Sequence, residues 1–147
     1  MELRGQPKDI AIFDDFAHHP TAVATTLAGV RERHPDQRIL AIFEPRSATS
    51  CRKVFQQPYT EAFDHADRIW IAANARAAEL PEDQRFLPED LVEGLRDRGL
   101  DALFGADVQS IVDQVTQSAQ PGDLIVVMSN GAFGAIHERL IEAISTR

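Results

Sequence analysis

Short apolar runs alternate with amphipathic stretches along almost the whole chain, and this alternation limits the folds that the chain can adopt. Five buried strands are predicted, at positions 9–14 (DIAIFD), 38–43 (RILAIF), 68–72 (RIWIA), 101–104 (DALF) and 123–128 (DLIVVM). Helices are predicted at positions 21–33, 54–66 and 89–98, from an N-cap at 107 to 119, and from 131 onward. This order predicts a single three-layer α/β domain, with helices on both faces of a mostly parallel sheet.

Composition excludes several classes of function. The chain carries 23 acidic against 15 basic residues, a net charge of −8, and its basic residues are spread out rather than concentrated on one face. No apolar run approaches the ~20 residues of a membrane span. The single cysteine, Cys51, excludes an internal disulfide and a cysteine-rich zinc site, and it is more simply a filler residue than a reactive thiol. We expect a cytoplasmic protein that binds neither nucleic acid nor membrane.

Three polar segments follow predicted strands, at positions 14–20 (DDFAHHP), 44–49 (EPRSAT) and 129–134 (SNGAFG). In open parallel sheets, ligands bind beyond the carboxyl ends of the strands, where the strand order reverses. If the three parent strands are neighbours, all three segments therefore border one crevice.

The first segment holds the densest group of titratable residues, Asp14, Asp15, His18 and His19. These side chains could hold a nucleotide ribose, orient a phosphate or ligate a metal. A structural interpretation is equally open, in which Asp15 or His18 caps the following helix and the others are solvated. No further ligand cluster of suitable spacing accompanies them, so we predict no metal site.

The other two segments suit anionic groups. Arg46 lies between Pro45 and the hydroxyls of Ser47 and Thr49, and a guanidinium there could capture a carboxylate or phosphate in a bidentate contact. The alternative is an ordinary surface arginine. The glycines around Asn130 and Gly131 permit close backbone approach to an anion, although neither a Walker loop nor a Gly-x-Gly-x-x-Gly motif is present.

Taken together, these segments resemble the C-terminal domain of the Mur ligases. The resemblance rests on four blocks in order and spacing, at positions 2–5 (ELRG), 14–21 (DDFAHHPT), 43–47 (FEPRS) with Thr49, and 128–131 (MSNG) with His137. It covers nearly the whole chain. At four positions the chain departs from the pattern, with Ala48 in place of Asn, Ser50 in place of Met, and Ala132 and Ala135 in place of Gly.

The resemblance implies a Rossmann-like domain with a six-stranded, mostly parallel sheet whose first strand, near Leu3–Arg4, is antiparallel. It also implies an ATP-dependent ligase in which ATP phosphorylates the carboxylate of UDP-N-acetylmuramate and an amine attacks the acyl phosphate. The motifs at positions 43–47 and 128–131 favour the member that joins L-alanyl-γ-D-glutamyl-meso-diaminopimelate (the murein tripeptide) in peptidoglycan recycling. The motif at positions 14–21 is shared loosely with a sister ligase that adds L-alanine.

By the same resemblance, Asp15 and His18 would contact ATP, and the tripeptide would contact His19, Arg46, Ser47, Thr49, Asn130 and Gly131. The complete enzyme would use ATP and Mg²⁺. The chain has no phosphate-binding glycine loop, so positions 1–147 are expected to be the C-terminal domain alone, without the central ATPase and N-terminal UDP-sugar domains. Such a domain is expected to contain no catalytic residue of its own, to bind no cofactor, and to be inactive in isolation.

Two other classes remain as alternatives at this point. A receiver-like signalling domain also begins with an acidic pair, but it needs an acceptor aspartate after the third strand and a lysine after the fifth. The sequence has Ala73-Asn74 and Ser129-Asn130 there. A small metallohydrolase could use Asp15, His18 and His19.

Overall fold

A computed structural model describes residues 1–47 and 50–147. Its six strands are β1 (Glu2–Gly5), β2 (Ala11–Asp15), β3 (Ile39–Phe43), β4 (Arg68–Ala72), β5 (Ala102–Gly105) and β6 (Leu124–Met128). They form one sheet in the order β1-β2-β6-β3-β4-β5. Every neighbouring pair is parallel except β1 with β2, which is antiparallel. The predicted fold class and the antiparallel first strand are therefore confirmed.

Helices cover both faces of this sheet because the strands are apolar on both sides. The helices are α1 (Pro20–Arg33), α2 (Gln56–Tyr59), α3 (Pro88–Asp97), α4 (Val108–Ser118) and α5 (Ile136–Thr146). Alternate strand residues enter two separate cores, one beneath α1, α2 and α3 and the other beneath α4 and α5. In β3, for example, Ala41 and Phe43 face the first core, and Leu40 and Ile42 face the second. No helix of the described residues is both long and apolar enough to span a membrane.

Two predicted helices differ from the structure. The helix expected at positions 54–66 is only a 3₁₀ turn at Lys53–Phe55 and the single turn of α2, followed by turns. Pro58 explains why no continuous α-helix starts at Val54, since its ring would clash with the Val54 carbonyl and it donates no backbone hydrogen bond. The helix expected from 131 begins only at Ile136. Asp107 caps α4 as predicted, accepting the Ser110 amide hydrogen at 2.7 Å.

An ion pair between Arg38 and Asp123 joins the segments that precede β3 and β6 at the amino-terminal end of the sheet. Asp123, which is 5% exposed, accepts hydrogen bonds from Arg38 Nε at 3.1 Å and Nη2 at 2.6 Å. The same carboxylate accepts the Gln120 amide hydrogen at 2.7 Å, and Arg38 Nη2 also donates to the Ser118 carbonyl. This network closes the turn before β6 and joins it to the start of β3.

Strand β6 lies between β2 and β3, and this order positions the candidate site. Asp15 of β2 and Phe43 of β3 both pair with Met128 of β6. The three strands therefore end at one level, and the three polar segments leave the sheet side by side. Their juxtaposition, predicted on the condition that the parent strands are neighbours, is confirmed.

Candidate functional site

The polar segments 14–20, 44–47 and 129–134 form a rim at the carboxyl ends of β2, β3 and β6. Within this rim, the side chain of Arg46 lies against Gly131. A Cβ atom built on Gly131 would lie 2.3 Å from Arg46 Nε and 2.4 Å from its Cδ, so the arginine side chain rests directly on the glycine. Arg46 is exposed, and no carboxylate of the described residues lies within ion-pair distance of it. An exposed guanidinium held over a glycine can make a bidentate contact with an incoming carboxylate. Thr49 lies outside the described residues.

The loop after β2 is held by Asp15. Its Oδ1 accepts the Ala17 amide hydrogen at 2.8 Å and the Thr26 hydroxyl at 3.2 Å. Neither Asp15 nor His18 caps α1, so that structural interpretation was wrong. The N-cap is His19, whose Nδ1 accepts the Thr21 amide hydrogen at 3.3 Å. The cap was misplaced because Ser, Thr, Asp and Asn are the common capping residues, and a histidine gives no such signal.

The two histidines of this loop have different surroundings. His18 is half-buried, and its carbonyl accepts a hydrogen bond from the hydroxyl of Tyr59, a fully buried residue of α2. Burial raises the pKa of Tyr59 well above its ordinary value, so this phenol stays protonated and can donate. His19 is exposed and packs edge-on against Phe55 at 5.3 Å between ring centroids. Tyr59 of α2 and Phe55, which immediately precedes α2, therefore contact the loop that carries the two histidines.

Ser47 shapes the loop that follows Arg46. Its hydroxyl oxygen accepts the Ser50 amide hydrogen at 2.9 Å and lies 2.8 Å from the Ser50 hydroxyl. The Cys51 amide closes the same turn on the Ser47 carbonyl at 3.2 Å. Cys51 is fully buried, and burial raises the pKa of its thiol above the ordinary value. It is therefore a core residue, as the sequence interpretation favoured.

Two buried polar residues of the rim were not singled out from the sequence. Glu44 is 7% exposed and Ser129 is 3% exposed. The Ser129 hydroxyl donates to Glu44 Oε1 at 2.7 Å, and its oxygen accepts the Gly131 amide hydrogen at 3.1 Å. One available signal was the position of Glu44, which follows directly on a strand buried on both faces. A carboxylate there needs a hydrogen-bond partner.

Asn130 borders a cavity of about 410 Å³ beside Gly131. Its Oδ1 is buried and accepts no hydrogen bond from the described residues. Asp14 and the exposed ring of Phe16 form other parts of the cavity wall. Among the residues that the structure describes, no group of three or more His, Cys, Asp or Glu side chains is placed to hold a metal ion.

Asp14 faces away from the histidine loop and joins β1 to α5. Its carboxylate lies 3.3 Å from Arg4 Nη1 and 3.3 Å from His137 Nε2, and Arg4 Nη2 also donates to Glu138 at 2.6 Å. His137 is 5% exposed, and its Nε2 makes no well-aligned hydrogen bond to the described atoms. Burial lowers the pKa of His137 below its ordinary value, and this effect exceeds the opposing attraction of Asp14.

We expect this buried histidine to make the stability of the domain depend on pH. The unfolded chain takes up a proton at His137 near pH 6.5, whereas the folded chain takes it up only at a lower pH. The contribution of His137 is therefore complete above about pH 6.5 and is lost as the pH falls through the lowered pKa. Urea unfolding of the wild type and His137→Gln at pH 7.5 and 5.5 measures this contribution. The free energy of unfolding should fall more in the wild type, and equal falls in both would contradict the expectation.

A left-handed turn separates the rim from α5. Phe133, Gly134 and Ala135 have φ angles of 45°, 56° and 55°. The left-handed conformation costs a residue with a Cβ atom about 1–2 kcal/mol. Ala135 stands where the family resemblance leads us to expect glycine, which adopts such angles freely. The turn also explains why α5 begins later than the apolar spacing predicts.

We expect Ala135→Gly to raise the free energy of unfolding by about 1 kcal/mol, because glycine removes this strain. Ala132→Gly is the matched control, since Ala132 has a right-handed φ of −69° and glycine relieves nothing there. It should leave stability unchanged or lower it through greater freedom of the unfolded chain. Thermal and urea unfolding compare the two variants. A stabilisation of equal size in both would show that the left-handed turn is not its source.

Comparison with known proteins places these features in a family. The sequence profile described as "Mur ligase, glutamate ligase domain" matches residues 1–131. The UDP-N-acetylmuramate–L-alanyl-γ-D-glutamyl-meso-2,6-diaminoheptandioate ligase of Escherichia coli K12 is 35% identical over 148 residues, covering 100% of this chain and 30% of that protein. The structure of the murein peptide ligase Mpl from Psychrobacter arcticus 273-4 superimposes with a TM-score of 0.84 at 33% identity, over 100% of this chain and 30% of that one.

A third relative has been solved as a separate domain. It comes from a protein of Haemophilus ducreyi 35000HP assigned as a UDP-N-acetylmuramate:L-alanyl-γ-D-glutamyl-diaminopimelate ligase. The match has a TM-score of 0.76 and 33% identity, covering 97% of this chain and 98% of that one. This chain thus spans about 30% of the longer relatives and nearly all of the separately solved domain.

Proposed function

Because the chain belongs to the Mur ligase family, we propose that it is the C-terminal domain of an ATP-dependent ligase that joins UDP-N-acetylmuramate to the murein tripeptide. The receiver-like and metallohydrolase interpretations are wrong, since the family match covers most of the chain. The observation that carries the proposal is the rim itself. Arg46 lies against Gly131, in the two motifs whose sequence favours the tripeptide ligase.

Charge supports Arg46 as the peptide-binding residue. The tripeptide carries several carboxylates, and a chain of net charge −8 repels it at long range. Arg46 is the only Lys or Arg in the three rim segments, so it supplies the main local attraction. Asn130 and Gly131 would complete this contact, and His19, Ser47 and Thr49 would border it. Ser47 would act chiefly by shaping the loop, because its hydroxyl is engaged with Ser50.

The nucleotide would lie on the other side of the rim. Asp15 Oδ1 is engaged with Ala17 and Thr26, and Oδ2 lies 3.5 Å from the amino group of Met1, so a ribose hydroxyl would take the place of that group at Oδ2. The half-buried His18 would then lie near the phosphates. No Gly-Lys-Ser/Thr loop is present in the sequence, so the residues here fit the ribose, and Mg²⁺ and most phosphate contacts would come from the central domain. Mg²⁺ would neutralise charge on the phosphates.

This arrangement gives the domain one part of the reaction. ATP transfers a phosphoryl group to the muramyl carboxylate, the amine of the tripeptide attacks the acyl carbon, and phosphate leaves. The rim would hold the carboxylates of the tripeptide so that its amine approaches the acyl phosphate correctly, which is a catalytic contribution of orientation. Since ATP and UDP-linked precursors are its substrates, we place the enzyme in the cytoplasm.

A hybrid ligase tests the proposal. The matched segment of the E. coli ligase is replaced by this chain, and ADP release is measured with ATP, UDP-N-acetylmuramate and tripeptide. We expect release that depends on the tripeptide and on UDP-N-acetylmuramate, and little with L-alanine as the acceptor. The chain alone should release no phosphate from ATP, because it lacks a phosphate-binding loop.

The E. coli segment rejoined through the same junctions controls for damage by the cuts. Use of L-alanine in preference to tripeptide would assign the chain to the sister ligase. A folded hybrid that uses neither acceptor, beside an active rejoined control, would contradict the proposal.

A further inference from the structure

Glu44 and Ser129 connect the interior of the sheet to the surface of the rim. The Ser129 hydroxyl has one hydrogen, which it donates to Glu44, and its oxygen accepts the Gly131 amide hydrogen. Both side chains are almost fully buried. A buried carboxylate is costly unless it is hydrogen bonded, so its presence beneath an anion-binding rim calls for a specific role.

The backbones of both residues are fixed by the sheet. The Glu44 amide donates to the Met128 carbonyl at 3.0 Å, and the Ser129 amide donates to the Asp15 carbonyl at 3.1 Å. These bonds extend the parallel ladder beyond β3 and β6. The sheet therefore fixes the backbones of both Glu44 and Ser129. The Gly131 amide donates to a side chain whose own backbone is held in place.

Gly131 in turn determines where the Arg46 side chain can lie. The contact of 2.3 Å that a Cβ atom would make with Nε shows that the guanidinium rests on the glycine without a gap. A shift of the turn at Gly131 would move that support. No carboxylate of the described residues forms an ion pair with Arg46. Contact with Gly131 is therefore the main constraint on the direction of the Arg46 side chain.

We infer that Glu44 and Ser129 are positioning residues, which hold Gly131 so that Arg46 points at the carboxylate of the incoming peptide. This inference rests on the proposed function of the rim. Glu44 does not touch the substrate. Its carboxylate accepts the Ser129 hydroxyl hydrogen and is buried beneath the anion-binding surface.

The test measures the Michaelis constants of the hybrid ligase. We expect Ser129→Ala and Glu44→Ala each to raise KM for the tripeptide about tenfold, the effect of one lost buried hydrogen bond to a charged group. KM for UDP-N-acetylmuramate should not change. Glu44→Gln keeps an acceptor oxygen and should restore most of the affinity. Ser118→Ala, which removes a serine hydroxyl at the opposite end of the sheet, is the matched control and should have no effect.

A double mutant separates positioning from general destabilisation. In an Arg46→Ala background, Ser129→Ala should change KM for the tripeptide less than twofold, because the residue that it positions is gone. Effects that multiply fully, or that raise KM for all substrates equally, would overturn the inference. So would an unchanged KM in both single variants.

Amide exchange in the chain alone gives a readout that does not depend on the proposed function. The Gly131 amide should exchange faster in Ser129→Ala than in the wild type and be largely protected in Glu44→Gln. Unchanged protection in Ser129→Ala would refute the anchor itself. An inactive wild-type hybrid beside this exchange pattern would instead refute the ligase assignment and leave the anchor standing.

Discussion

Replacing Arg46 by alanine in the hybrid ligase should lower kcat/KM for the tripeptide about 30-fold, with ATP and UDP-N-acetylmuramate saturating. A charge-assisted contact in a partly desolvated cleft contributes about 2 kcal/mol. The Arg46→Ala variant should lose this entire contribution, because Arg46 is the only Lys or Arg in the three rim segments of the sequence. Arg46→Lys should recover only part of the activity, since an ammonium group lacks the planar fork of the guanidinium.

Gly131→Ala is the companion variant to Arg46→Ala. Its new methyl group would occupy the place of Arg46 Nε and Cδ, so the arginine must swing away while the fold remains. We expect a loss in kcat/KM close to that of Arg46→Ala, and little further loss when the two are combined. An unchanged kcat/KM in Arg46→Ala and Arg46→Lys would show that Arg46 is an ordinary surface arginine.

At the other end of the sheet, Asp123→Ala should lower the free energy of unfolding by about 3 kcal/mol. Its carboxylate is buried and accepts three hydrogen bonds, two from Arg38 and one from the Gln120 amide. Alanine removes the acceptor that the Gln120 amide and the Arg38 guanidinium share, and the Arg38 side chain is only 34% exposed. Urea unfolding of the isolated chain measures the loss, and Asp123→Asn, which keeps one acceptor oxygen, should show a smaller one.

Asp101→Ala provides the matched control. Asp101 precedes β5 as Asp123 precedes β6, and it pairs with Arg68 Nε at 2.6 Å. The side chains of Arg38 and Arg68 are similarly exposed, 34% and 35%, whereas the side chain of Asp101 is 49% exposed and that of Asp123 only 6%. An exposed pair contributes about 0.5 kcal/mol. Equal losses in Asp101→Ala and Asp123→Ala would show that burial does not set the strength of these ion pairs.

The strands β2 to β6 could be predicted from sequence because their residues are largely apolar and face the two cores. The exposed strand β1 was expected only from the family resemblance. The predicted strand at 68–72 matches β4 residue for residue, and the predicted ends of the others lie within two residues of the structure. Their order in the sheet could not be derived in the same way. Nothing local to positions 123–128 shows that β6 enters between β2 and β3, since the pairing depends on contacts between distant segments.

Local exceptions account for most of the errors. Pro58 lies within α2 and prevents a continuous helix from Val54, although the apolar spacing favours one. Phe133 and Ala135 adopt left-handed angles although neither is glycine, and this turn moves the start of α5 from position 131, where the apolar spacing placed it, to Ile136. At the rim, the resemblance assigned Arg46 and Gly131 to one peptide-binding surface, but the contact between them was not predicted. The Glu44–Ser129 pair was not predicted either, because a serine and a glutamate give no sign of mutual contact.

The central place of β6 has a consequence for how the domain is made. This strand is translated last of the six, yet it separates β2 from β3, two strands that are translated before β4 and β5. Those two strands must wait with their inner edges unpaired until residues 124–128 have been translated, and long-range closure of this kind is slow. The rim therefore assembles in a single late event, and a nascent chain that stops before position 124 cannot form it.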